Sequence, residues 1–108
     1  MVPHPLPEPL VELIAQRLRV IGEPTRIRIL DALRDGPLTV NELAVALGGT
    51  QQNVSKHVGV LAQAGVVDRE RAGNHVRCSI ADATVFELCE IVCVGLRRQV
   101  SELEELLA

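Results

Sequence analysis

A chain of 108 residues, 47% of them hydrophobic, has room for one domain around one modest core and excludes a second. A net charge of −3 argues against a protein that coats nucleic acid indiscriminately, yet leaves open duplex binding through a local basic surface. Phe86 is the sole aromatic residue, which excludes a base-stacking platform for single strands.

The opening VPHPLPEP holds four prolines, so residues 1–8 are expected to form an extended or disordered arm carrying a solvated His4. Residues 9–108 then read as one domain. A first helix starts near Pro9 and runs through Leu10, Leu13, Ile14, Leu18 and Ile21 to Gly22. Pro24 opens a second, where Ile27, Ile29, Leu30 and Leu33 keep apolar spacing up to Gly36-Pro37.

The next stretch, TVNELAVALGGTQQNVSKHVGVL, reads as two short helices joined by a glycine turn. Thr39 and Glu42 form a capping box at the start of the first, Gly48-Gly49 ends it, and Thr50 caps the second. On that second helix Val54, His57, Val58 and Leu61 share one side, whereas Gln51, Gln52, Ser55, Lys56 and Gly59 share the other. His57 is expected to be a satisfied core histidine. The outward amides suit base edges in a major groove, and Lys56 with the free first-turn N–H groups at Thr50 suits phosphates. Taken alone, the same face fits an ordinary solvated helix surface equally well.

Downstream of Gly65, Val66 to Arg71 and His75 to Ile80 are short runs rich in β-branched residues, with a hairpin signal at Gly73-Asn74. Arg69, Arg71, Asn74, His75 and Arg77 lie on or beside this basic hairpin, where a wing meets a phosphate backbone. With Gly73-Asn74 as the loop, Glu70 faces Arg77 and neutralises part of that charge.

Asp82 or Thr84 is expected to cap a last helix reaching Leu107, Thr84 and Glu87 forming a second capping box. Val85, Leu88, Cys89, Val92, Leu96, Val100, Leu103 and Leu107 form one stripe along it. Such a stripe outside a compact core calls for burial against a second copy. The most apolar run, LCEIVCVGL, is short and contains Glu90, so no membrane span or signal peptide is predicted and a cytoplasmic protein is expected. No phosphate loop, Ser/His/Asp pattern or paired carboxylates mark an enzyme.

Three cysteines, an odd number, argue against a disulfide framework. Cys89 and Cys93 are one helical turn apart on one face and can share a soft, thiophilic ion. An internal disulfide fits poorly, because both Cβ vectors tilt the same way. The competing reading is three small buried hydrophobes, and Cys78, alternating with Val76 and Ile80 on one strand face, fits it best.

The run PTRIRILDALRDGPLTVNELAVALGGTQQNVSKHVGVLAQAGVVDRERAGNHVRCSIAD, with its PTRxxIL opening and QxxVSxHVxxL helix, resembles the winged-helix core of ArsR/SmtB-type repressors over roughly Leu18 to Asp82. The resemblance implies a mostly helical winged helix-turn-helix with a small β-hairpin wing, dimerising through its terminal helices. It implies a homodimeric repressor that leaves double-stranded operator DNA when an inducer binds, commonly a metal or metalloid ion and in some branches reactive sulfur or an oxidant. The thiolates of the arsenical-sensing branch are absent from the matching stretch, Leu38 to Ala44. Of the zinc-sensing set only Asp82 matches, with Thr84, Gly95 and Arg98 at the other places. A metal site here therefore falls to Cys89 and Cys93, with Cys78, Glu90 or His4 from either chain as third-ligand candidates. The alternatives are a thiol redox or persulfide sensor on the same DNA-binding module, and a thiol-based metal-transfer protein with no operator.

Overall fold

The computed structural model describes residues 2–108. Among the described residues there are five α-helices, α1 (Glu8–Ile21), α2 (Pro24–Ala32), α3 (Val40–Leu47), α4 (Gln51–Gln63) and α5 (Thr84–Leu107), and a small sheet of β1 (Leu38–Thr39), β2 (Val67–Ala72) and β3 (His75–Ile80) that packs against α3 and α4. This is the expected winged helix-turn-helix, with α1 starting at Glu8 and its proline in the first turn.

The local signals act as their chemistry requires. Thr39 Oγ1 accepts from Glu42 N–H at 3.1 Å while Glu42 Oε1 accepts from Thr39 N–H at 2.9 Å, closing the capping box of α3. Gly48, in the left-handed region at φ 70°, ends that helix. In the wing, Ala72 pairs with His75, so Gly73-Asn74 is the two-residue loop. Gly73 at φ 63° holds the first central position, the place a type II′ turn reserves for glycine.

Two features differ from the sequence expectation. The wing is a three-stranded antiparallel sheet in the order β1-β3-β2, because the two residues before α3 pair with β3, Leu38 opposite Cys78 and Thr39 opposite Arg77. A two-residue strand carries no periodicity of its own; its partner defines it. The Thr84–Glu87 capping box does not form. Thr84 is the first residue of α5, and its N–H and hydroxyl both donate to Asp82 Oδ1, at 3.0 and 2.5 Å. Asp82 wins because its own N–H and that of Ala81 are tied to Val66 O, which aims its carboxylate at the helix start.

The core is aliphatic: Ile29, Leu30, Leu43, Val54, Val58, Leu61, Val66 and Val67 close over Cys78, with no buried polar side chain among the described residues. Phe86 lies at its margin under the Arg34 guanidinium, 4.5 Å from the ring centroid. The terminal helices contribute little to this core. Only Ile21 of α1 and Val85 of α5 are buried, while Leu13, Leu18, Val92, Leu96, Val100 and Leu103 are each about half exposed.

Candidate nucleic-acid interface and thiol pair

Helix α4 presents its polar face beside the wing. Thr50 Oγ1 accepts from Asn53 N–H and starts the helix, while Gln51, Gln52, Ser55 and Lys56 are exposed. A cleft of about 490 Å³ opens between this face and the hairpin tip, lined by Asn41, Gln51, Gln52, Ser55, Asn74 and His75. Its walls carry amide, hydroxyl and imidazole groups, the donor and acceptor set that reads base edges. Asn41 is absent from the sequence-derived set. It accepts from Gln51 Nε2 at 2.7 Å, so Gln51 is held against α3 instead of hanging free. The signal available was a polar residue in the first turn of α3, facing the helix that follows the turn.

The strand register sorts the wing's cations by face. Arg69 and Arg71, opposite Cys78 and Val76, share the sheet face turned towards the helices, whereas Arg77 and His75 share the other with Glu70. Arg69 lies over α4: its Nη1 is 3.6 Å from where a Cβ on Gly59 would sit. Glu70 stands opposite Arg77 as expected, but no ion pair forms between them within 4.0 Å, so the expected neutralisation is corrected. Alternation puts both side chains on the open sheet face, where solvent competes for each. Glu42 is held below the usual carboxylate range chiefly by the N–H of Thr39, with Arg77 and His75 adding to the effect.

The inner face of α4 is tied to the α1–α2 junction. Arg26 donates through Nε to Val20 O and through Nη2 to Arg19 O, covering carbonyls at the end of α1. Its Nη1 lies 3.2 Å from His57 Nδ1, and His57 Nδ1 lies 3.6 Å from Glu23 Oε2. Glu23 in turn caps α2 by accepting from Arg26 N–H, the main reason its carboxyl titrates below the usual range. His57 is thus a satisfied interior histidine.

The thiols separate into two environments. Cys78 is wholly buried behind Leu38, and burial pushes its thiol pKa up. Cys89 is half-buried and Cys93 exposed, and both open into one apolar groove of about 340 Å³ lined by Leu18, Ile21 and Ile27 with Leu88, Val92 and Leu96. Cys78 does not join them, and neither Glu90 nor His4 does. Among the described residues no three His, Cys, Asp or Glu side chains converge as a metal site. Among the described residues no helix is long and apolar enough to cross a membrane.

Residues 21–70 match the helix-turn-helix domain family. The HTH-type transcriptional regulator NmtR of Mycobacterium tuberculosis is 37% identical over 86 residues, 80% of this chain and 72% of that protein. The chain belongs to the ArsR/SmtB family of winged-helix transcriptional repressors. The crystal structure of M. tuberculosis Rv0081 superposes with a TM-score of 0.77 at 37% identity, covering 89% of this chain and 97% of that one. The homodimeric winged helix-turn-helix domain of a possible ArsR-family regulator from Mycobacterium bovis superposes at 0.70 with 27% identity, covering 82% of each. As an ArsR/SmtB repressor the chain is a DNA-binding transcription regulator and not an enzyme. Asp82, its one match to the zinc-sensing pattern, is engaged elsewhere: the carboxylate caps α5 and pairs with Arg17 at 3.2 Å.

Proposed function

We propose that the chain acts in the cytoplasm as a homodimeric repressor, released from its operator when Cys89 and Cys93 bind a thiophilic metal or metalloid ion. The observation that carries this is the thiol pair in a groove between α1 and α5, on a helix whose apolar stripe is otherwise uncovered. A second copy covering that stripe places two α4 helices on half-sites about one turn, ~34 Å, apart. The homodimeric relative supports this arrangement.

On each half-site, Gln51, Gln52 and Ser55 read base edges, while Thr50, Lys56, Asn74, His75 and the arginines Arg69, Arg71 and Arg77 meet the backbone. Soft thiolates favour a thiophilic ion over a hard one such as magnesium. Binding between α1 and α5 reaches the DNA face through connections already in place: Arg17 to Asp82 at the start of α5, and Arg26 to His57 on α4. Reciprocity then requires operator DNA to weaken ion binding by the same factor.

The test is fluorescence anisotropy of a labelled duplex from the gene's own upstream region, with reduced protein and a panel of thiophilic ions and arsenite. Release of wild type but not of Cys89→Ser/Cys93→Ser supports the sensor. Tight binding that no ion reverses overturns it and leaves the thiols to oxidant or persulfide chemistry.

A further inference from the structure

Of the outward side chains on α4, Gln51, Gln52, Ser55 and Lys56, only Gln51 has a hydrogen-bond partner among the described residues. Its Nε2 donates to Asn41 Oδ1 at 2.7 Å, across the turn that joins α3 to α4. Asn41 is exposed in the first turn of α3, and the bonds that start that helix run between Thr39 and Glu42, which leaves its amide to Gln51. Both amides line the cleft between α4 and the wing, together with Asn74 and His75.

A glutamine amide carries two N–H donors and one carbonyl acceptor. With one N–H committed to Asn41, Gln51 keeps one donor and its acceptor for a duplex. In the major groove adenine offers an acceptor and an amino donor, N7 and N6, whereas guanine offers two acceptors, N7 and O6. The remaining set therefore matches adenine and falls one donor short of guanine, while thymine and cytosine use only one of the two groups. For guanine to draw on the second N–H, the bond to Asn41 has to break, and a duplex closing the cleft then leaves Asn41 Oδ1 without a donor. The same closure removes the water that competes for an exposed bond, so the link counts for more on DNA than off it.

We infer that Asn41 is a positioning residue that sets base preference: by holding one Gln51 amide N–H, it commits Gln51 to adenine and against guanine at one base pair of each half-site. The inference rests on the base-reading role proposed above for Gln51 and names the base. Asn41 acts through Gln51 and needs no contact with DNA of its own. A side chain otherwise free to rotate in solvent is ordered before the duplex arrives, which lowers what binding must spend on fixing it.

Full-length protein is used to select sequences from randomised duplexes, and the selected duplex is then titrated by anisotropy with each base pair at the position in question. Gln51→Ala is expected to relax one base pair per half-site, at which wild type prefers adenine to guanine. Asn41→Ala is expected to narrow that ratio about 2–10-fold, the worth of one hydrogen bond, with the other positions and the salt dependence unchanged. Asn41→Asp keeps the acceptor, so the ratio should hold while the added negative charge weakens binding to every duplex. In a Gln51→Ala background Asn41→Ala should move the ratio no further. Both positions are exposed, so all these variants should melt close to wild type. Equal weakening of all base pairs in Asn41→Ala makes Asn41 a phosphate contact and overturns the inference. Loss of the ratio in Asn41→Asp, a wild-type preference for guanine at the Gln51 position, or a further change in the double variant overturns it too. If Gln51→Ala relaxes a base pair that Asn41→Ala leaves alone, the inference falls and the reading role of Gln51 stands. If Gln51→Ala relaxes none, that role falls and takes the inference with it.

Discussion

Asp82 joins three parts of the molecule, and its removal has a calculable cost. The carboxylate accepts from Thr84 N–H and Oγ1 at the start of α5 and pairs with Arg17 of α1. Losing a capping acceptor costs about 1 kcal/mol, and a partly exposed ion pair about 0.2–1 kcal/mol. Asp82→Ala should therefore destabilise the fold by about 1–2 kcal/mol, a Tm loss of roughly 5–10 °C in a domain of this size. Asp82→Asn keeps an acceptor for the helix N–H and loses only the charge, so its loss should stay near the ion-pair figure. The assay is thermal denaturation at fixed protomer concentration, because a dimer's Tm depends on it. The pH dependence has a definite sign. The Thr84 hydroxyl, followed by its N–H and Arg17, lowers the Asp82 pKa from its ordinary 3.8. Its contribution is complete above that ordinary value and is lost as the pH falls through the lower folded value. The gap between wild type and Asp82→Ala should be constant near neutrality and close in acid. An unchanged Tm in Asp82→Ala, or an equal loss in Asp82→Asn, would refute the assignment of the cap as the larger contribution.

Four further outcomes follow from the same geometry. Lys56→Ala should weaken binding to all duplexes and flatten the slope of log affinity against log salt by about one, whereas Gln52→Ala should cost about 1–3 kcal/mol on the operator only; titrations at several salt concentrations separate them. Cys78→Ser should lose about 1–3 kcal/mol in urea denaturation by burying a hydroxyl among aliphatic side chains, and Cys78→Val less than about 1.5 kcal/mol. In the native protein an aromatic disulfide reagent should modify Cys93 well before Cys78. Leu103→Glu should convert dimer to monomer in sedimentation velocity with helical circular dichroism retained, since Leu103 lies outside the monomer core; a dimer that persists places the interface elsewhere.

The features legible in the sequence are those whose cause is local. Thr39 with Glu42, Gly48 and Thr50 specify the helix-turn-helix within a dozen residues, and Gly73-Asn74 specifies the wing's register. What escaped depends on partners distant in the chain. β1 exists only because β3 offers an edge, Gln51 is fixed by an asparagine ten residues earlier, and Asp82 outcompetes Thr84 because Val66 holds its backbone. At the thiols, the i,i+4 spacing was readable, but the apolar wall from α1 and α2 that turns two cysteines into a groove was not. Cys78 reads as a third-ligand candidate because composition cannot separate a buried thiol from a ligating one; the fold puts it behind β1.

The Arg26 guanidinium makes a lever of the recognition helix. It holds carbonyls at the end of α1 and the His57 ring together, which ties α4 to α1. Helix α4 has 13 residues, and at 1.5 Å per residue it is about 20 Å long. Arg26 grips it at His57, midway along, so the arm to Gln51 is about 9 Å, and a pivot of roughly 10° carries Gln51 about 1.6 Å, enough to take a hydrogen bond of about 2.9 Å out of range. On the release mechanism proposed above, the chain has no need to unfold or to bury its DNA face in order to let go. On that proposal, about ten degrees at the junction of two helices takes the Gln51 amide out of hydrogen-bond range of a base edge.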